Sequence, residues 1–325
     1  NLLISFLPGL GAALVFLVGA VLVINGEWTL GSLLAFQTYL GYVYNPAMAL
    51  ASTNLQMQSA MASLARVSAL FNIVPEENQA TGKKVEHLSG EVEFRNISFS
   101  YDGKNTIFEN VSFHVEAGEQ IAIVGPSGVG KTTLISLLMQ FYRPLSGEIL
   151  FDGISSTSLE LNALRHRIGY VSQSPIIQEG TIRENVCYGF PEASQADVKR
   201  VVRTAGLAEF IQGLPDGYMT HVGELGANLS EGQKQRLSLA RALIRDPDIL
   251  ILDEPTSNID QVMEASIFKN LSSILRGKTV FIIAHQLATI KQADRIFQLK
   301  DKNLEVGKTR SEIRGSDEYF KAMVD

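Results

Sequence analysis

A chain of 325 residues is long enough for one large domain or two smaller ones. Its net charge of −6 gives no whole-chain basic footprint for nucleic acid, and its single cysteine, Cys187, excludes an internal disulfide framework. Cys187 reads as a small buried hydrophobe in a reducing compartment.

The chain opens at Asn1 without a basic n-region or a small-residue cleavage site. No signal peptide is expected, and an N-terminal portion is expected to be missing. No charged side chain occurs from Asn1 to Gly26. A bilayer core takes about 20 apolar residues of helix, and Leu3 to Ile24 is long enough to span it. Pro8 sits near one end, where a missing N–H is least costly. Asn25-Gly26-Glu27-Trp28 predicts a tight polar turn with an aromatic suited to the membrane interface. A second charge-free stretch runs from Trp28 to Ala65, apolar enough to span through about Leu50, with a kink expected at Pro46. Beyond it Asn54, Gln56, Gln58 and Ser59 appear while Leu50, Met57, Met61 and Leu64 keep a helical spacing, as in a helix leaving lipid for water. Arg66, Lys83 and Lys84 come next, whereas the turn carries Glu27. The positive-inside rule then places everything after Arg66 in the cytoplasm.

Asn72 to Gly90, rich in Pro, Gly, Glu, Lys and Asn, reads as a linker between a membrane part (1–71) and a soluble α/β domain (91–325). Val92 and Phe94, then Ile97, Phe99 and Tyr101, alternate with polar residues in two short runs that predict half-buried antiparallel strands. Ile121 to Val124, Ile249 to Leu252 and Val280 to Ala284 are continuous apolar runs, which suit strands covered on both faces.

Gly125-Pro126-Ser127-Gly128-Val129-Gly130-Lys131-Thr132 matches G-x-x-x-x-G-K-[ST] between an apolar strand and a helix bearing Leu134, Leu137 and Leu138. Glycine lets the backbone turn tightly and bring N–H groups to phosphate oxygens, and the helix start adds a positive dipole end. Lys131 can reach the β- and γ-phosphates, and the Thr132 hydroxyl can ligate Mg²⁺. The run Ile249 to Leu252 ends in Asp253-Glu254. Adjacent strand residues point to opposite faces, which gives the two acids different work: Asp253 as Mg²⁺ partner, Glu254 as base for the attacking water.

These residues resemble the ABC transporter ATPases of the exporter type, over essentially the whole chain and in the family's motif order. Tyr101 resembles the aromatic that stacks on adenine, Gln173 the glutamine that touches Mg²⁺ or the attacking water, and Leu229-Ser230-Glu231-Gly232-Gln233 the family signature. Ser257-Asn258-Ile259-Asp260 resembles the D-loop, His285 the switch histidine, and Gly223-Glu224-Leu225-Gly226 the loop that exporters place against their coupling helices. Ser230 and Gln233 also form a capping box, and both readings hold together. The chain departs from the family in Glu231 for glycine, Asn258-Ile259 for Ala-Leu and Gln286 for arginine.

The resemblance implies a P-loop NTPase domain with an antiparallel β subdomain and a helical subdomain, preceded by two transmembrane α-helices. It implies an ATP site of Tyr101, Gly125, Ser127, Gly128, Gly130, Lys131, Thr132 and Thr133, completed from a partner by Ser230, Gly232 and Gln233. Glu254, His285 and Gln173 are the expected catalytic residues, and Thr132, Gln173 and Asp253 the expected Mg²⁺ ligands. The expected partners are a second half-transporter, identical or related, membrane lipid of the plasma (inner) membrane, and a transported substrate that the motifs do not specify. A soluble relative acting on DNA or ribosomes fits poorly with two apolar segments. A non-hydrolysing subunit fits poorly with the presence of Lys131, Glu254 and His285.

Overall fold

The structure, a computed structural model, describes residues 2–73, 75, 76, 78–254, 275–283, 290 and 293–309. The chain divides into two compact units, Asn1–Glu76 and Glu77–Asp325.

The first unit is a helical hairpin of α1 (Leu2–Ile24) and α2 (Leu30–Phe71). The polar turn forms where the sequence places it: the Glu27 and Trp28 N–H groups both return to the Leu22 carbonyl, at 3.0 and 3.2 Å. Thr29 then caps α2. Its hydroxyl accepts from the Ser32 N–H (3.1 Å), and the Ser32 hydroxyl accepts from the Thr29 N–H (3.2 Å). The helix is unbroken through Pro46. Gly19 lets the two helices meet, because a Cβ there would collide with Leu33, a buried residue. Other apolar side chains of α1, among them Leu14, Leu17, Val21 and Ile24, stay exposed. Among the described residues no helix is long and apolar enough to cross a membrane, so this criterion does not bear out the two expected spans. In α2 the dilution comes from Gln37, Thr38, Tyr39, Tyr42, Tyr44 and Asn45. In α1 the side chains of residues 2–5, 7 and 8 lie outside the described set.

The second unit carries ten described strands: β1 (Val92–Ser100), β2 (Thr106–Val115), β3 (Gln120–Val124), β4 (Ser146–Phe151), β5 (Ile154–Ser155), β6 (Ile168–Val171), β7 (Ile249–Asp253), β8 (Thr279–Ile283), β9 (Arg295–Lys300) and β10 (Asn303–Thr309). Its helices are α3 (Lys131–Leu138), α4 (Leu161–His166), α5 (Ile182–Val186), α6 (Gln195–Thr204), α7 (Ala208–Gln212) and α8 (Glu231–Leu243). An antiparallel sheet runs β2-β1-β4-β5, and a six-stranded sheet runs β10-β9-β3-β8-β7-β6, parallel except at β10. The two alternating runs near its start are one strand. A bulge at Asn96 (φ 50°) shifts the register between Phe94 and Ile97, so Val92, Phe94, Ile97 and Phe99 all face inward.

The continuous apolar runs are explained by two cores on opposite faces of the parallel strands. Ile121, Ile123, Ile249, Ile251 and Phe281 pack with α3, α4 and the antiparallel sheet, while Ala122, Val124, Leu250, Leu252, Val280 and Ile282 pack with α5, α6 and α8. The segment before β1 is built onto this unit. Leu88 is buried, its N–H donates to Asp248 (2.9 Å), and the Ser89, Gly90 and Glu91 N–H groups all donate to the Asp152 carboxylate at 2.6 to 3.1 Å.

Candidate functional site

Parallel strands end on a common edge, and the segments leaving β3, β6 and β7 gather there. The turn from Gly125 to Gly130 leaves β3, with Gly125, Gly128 and Gly130 all at positive φ. Gly130 is the N-cap of α3, and no side chain caps that helix, so its first N–H groups open onto the loop. Lys131 is buried and folds back over the turn, its ammonium donating to the carbonyls of Gly125 (2.6 Å) and Pro126 (3.1 Å). Burial holds the Lys131 pKa below its ordinary value, and the charges of Glu254 and Asp253 oppose that effect. Ser127, Gly128 and Thr132 are exposed, while Thr133 is buried.

Asp253 closes β7 and falls on the α3 side of the sheet, in the alternation set by Ile249 and Ile251. Glu254 does not occupy the strand position that the alternation expectation assumes. It lies past the end of β7, with φ 48°, so strand alternation does not set its direction. Gln173, just past β6, donates its amide to Glu254 Oε2 at 2.8 Å. Tyr101, just past β1, is half-exposed and shares a hydrogen bond with the Thr133 hydroxyl at 3.1 Å.

Ser230, Gly232 and Gln233 stand apart at the start of α8. The Ser230 hydroxyl accepts from the Gln233 N–H (3.3 Å), and the Gln233 side-chain oxygen Oε1 accepts from the Ser230 N–H (2.8 Å), which is the expected capping box. Glu231 is paired with Lys234 at 2.8 Å, so the departure from the family glycine does not add an unbalanced charge there. The D-loop residues from Ser257 to Asp260, His285 and Gln286 lie outside the described residues.

A family model for ABC transporters matches residues 108–257. An ATP-dependent lipid A-core flippase of Syntrophus aciditrophicus is 38% identical over 319 residues, covering 98% of this chain and 53% of the flippase. A fatty acid ABC transporter ATP-binding/permease protein of Mycobacterium bovis is 40% identical, covering 90% and 46%. A solved structure of a bacterial Atm1-family ABC exporter with ATP bound matches with a TM-score of 0.72 and 34% identity, covering 91% of this chain and 53% of that one. Residues 108–257 carry an ABC transporter domain. The chain spans about half the length of these relatives.

Three residues of the second unit lie outside the sequence motifs. Tyr170 on β6 donates its hydroxyl to Asp253 Oδ2 at 3.4 Å, and burial, with the Asp253 charge, pushes its pKa up to about 12. Its place was accessible from strand parity, since it pairs with Ile251 and so faces as Asp253 does. Asp102 anchors the turn after Tyr101, accepting from the Lys104 and Asn105 N–H groups at 2.8 Å each, bonds that hold its carboxyl well below the usual range. Arg241 on α8 donates to the Ile176 carbonyl (2.8 Å) and the Asn185 side chain (2.7 Å), fastening the segment after Gln173 to the helix that starts at Ser230.

Proposed function

We propose that the chain is the ATP-hydrolysing portion of an ABC exporter that couples ATP binding and hydrolysis to movement of a substrate across a membrane. The observation that carries this reading is the convergence of the Lys131 ammonium, the Asp253 and Glu254 carboxylates and the Gln173 amide on one edge of the parallel sheet. Tyr101 offers a half-exposed ring to the adenine. The turn from Gly125 and the start of α3 direct N–H groups at the phosphates, and Lys131 exchanges its loop carbonyls for β- and γ-phosphate oxygens. Thr132, Asp253 and Gln173 are oxygen-bearing side chains that would hold Mg²⁺, which when bound neutralises charge developing on the phosphates. Glu254 takes the proton of the attacking water, and the Gln173 amide fixes the orientation of that carboxylate.

In this reading residues 1–71 are the last two membrane helices and 91–325 the body of the ATP-binding domain on the cytoplasmic side of a plasma (inner) membrane, with 72–90 joining them and its part from Asn78 bonded to the ATP-binding unit. The charge-free sequence from Asn1 to Gly26, the exposed apolar side chains of α1 and the permease names of the relatives support it. Ser230, Gly232 and Gln233 complete the ATP site of a second half-transporter, identical or related, and His285 takes the γ-phosphate contact of its motif. The test is Glu254→Gln in the full chain. ATP binding should persist while steady-state hydrolysis falls by about 100-fold or more, the range expected when a general base is lost. Undiminished turnover would remove Glu254 from the mechanism.

A further inference from the structure

We propose that Tyr142, on the turn after α3, is a positioning residue for the nucleotide base, holding the Tyr101 ring in its stacking pose. The inference rests on the ATP reading above and extends it to a residue that none of the matched motifs contains.

Tyr101 belongs to a cluster of three rings. Phe99 lies 5.0 Å away at 84° and Tyr142 lies 4.9 Å away at 84°, with Phe99 and Tyr142 themselves 5.8 Å apart at 60°. Edge-on contacts of this kind are the favoured aromatic geometry, and they fix a ring's tilt as well as its place. Phe99 has a core to fill, being 2% exposed, whereas Tyr142 is 47% exposed and contributes little to burial. Of the two rings it touches, Phe99 is buried in the core and Tyr101 is the exposed one.

The turn that carries Tyr142 is built to hold it still. Gln140 takes φ 54° at the end of α3, and its side-chain amide donates to the Leu137 carbonyl at 2.7 Å. Arg165 from α4 donates to the Met139 carbonyl (3.0 Å) and the Gln140 carbonyl (2.8 Å), with its guanidinium 5.0 Å from the centre of the Phe141 ring. The far end of the turn is tied to β1 through the Leu145 N–H and the Ser98 carbonyl, at 2.9 Å. Tyr101 is fixed at its other end by the hydroxyl bond to Thr133 (3.1 Å). The ring is thus held at its hydroxyl and by two ring contacts, while about half of its surface stays exposed.

The experiment compares binding of ATP and of inorganic tripolyphosphate, which has the phosphates but no base, to the full chain and to Tyr142→Leu and Tyr142→Phe. Tyr142→Leu should weaken ATP about 3- to 10-fold, the loss of one edge-on ring pair, and leave tripolyphosphate unchanged. Tyr142→Phe should keep ATP affinity within about twofold. Unchanged tripolyphosphate binding also reports an intact fold. Equal losses for both ligands, or no loss for ATP, overturn the inference while leaving the ATP reading in place. If the unaltered chain binds neither ligand, the ATP reading fails and this inference fails with it.

Discussion

Gly130 meets two constraints at one atom. Its φ of 112° is a region that L side chains rarely enter, and a Cβ would lie 2.9 Å from Ile107 Cγ2 and 3.1 Å from the buried Phe108 ring. Gly128 shares the positive φ, at 79°, but has open space around it. The pair separates backbone strain from crowding. Gly128→Ala should destabilise the protein by about 1 kcal/mol, from strain alone. Gly130→Ala adds overpacking against β2 and should cost about 2–4 kcal/mol, read by denaturant unfolding. Equal effects at the two positions would mean that β2 yields freely and that crowding plays no part. The spacing G-x-x-x-x-G-K-[ST] was legible in the sequence because it is local. The neighbours that make Gly130 less replaceable than Gly128 were not, because they come from a strand about twenty residues upstream whose packing no motif records.

At the level of single elements, the start of α8 was readable for the same reason: a capping box spans four residues, and Ser230 with Gln233 satisfies it wherever the helix packs. The box also lets the two roles of Ser230 be told apart. Ser230→Ala loses the cap and should cost about 1 kcal/mol of stability. Ser230→Asp keeps a good capping oxygen and should stay within about 0.5 kcal/mol of the parent. Aspartate nevertheless brings a negative charge to the face proposed to meet a partner's γ-phosphate, so ATP-dependent dimer formation, monitored by size-exclusion chromatography, should be lost in that variant. Normal dimerisation of Ser230→Asp would confine Ser230 to its capping role. The other end of α8 shows what sequence conceals. Arg241 reads as an ordinary surface arginine of an amphipathic helix, yet its partners lie 65 and 56 residues earlier, at Ile176 and Asn185. Burial depresses its pKa, as expected of a guanidinium drawn away from water to serve carbonyls.

Across the whole molecule, hydrophobic pattern located the central strands but not their neighbours. Ile121 to Val124, Ile249 to Leu252 and Val280 to Ile283 are apolar at every position because each strand feeds two cores, and that much is visible in one dimension. That β8 lies between β3 and β7 depends on its pairing with β3, about 160 residues away in sequence, and on its pairing with β7, about 30 away. The same long-range bonding governs where the ATP-binding unit begins. Polar composition makes Asn72 to Gly90 look like a tether throughout, but backbone polar groups need partners, and from Asn78 onward this segment finds them in the folded unit. The Lys83 N–H donates to the Ser158 carbonyl (2.8 Å), the Lys83 carbonyl accepts from the Glu160 N–H (3.0 Å), and the Thr279 hydroxyl, wholly buried, donates to the Gly90 carbonyl (2.6 Å). Leu88 adds a buried side chain, and Asp152 and Asp248 serve the N–H groups beside it. A fragment beginning at residue 91 leaves Thr279 and both carboxylates without these partners and uncovers the Leu88 pocket. Burial of one leucine is worth about 1.5–3 kcal/mol and each net hydrogen bond about 1 kcal/mol. Residues 77–325 should therefore be more stable than residues 91–325 by about 3 kcal/mol or more, measured as a difference in denaturant midpoint at constant slope. Matching midpoints would show that the segment from Glu77 to Gly90 rides on the unit without holding it together.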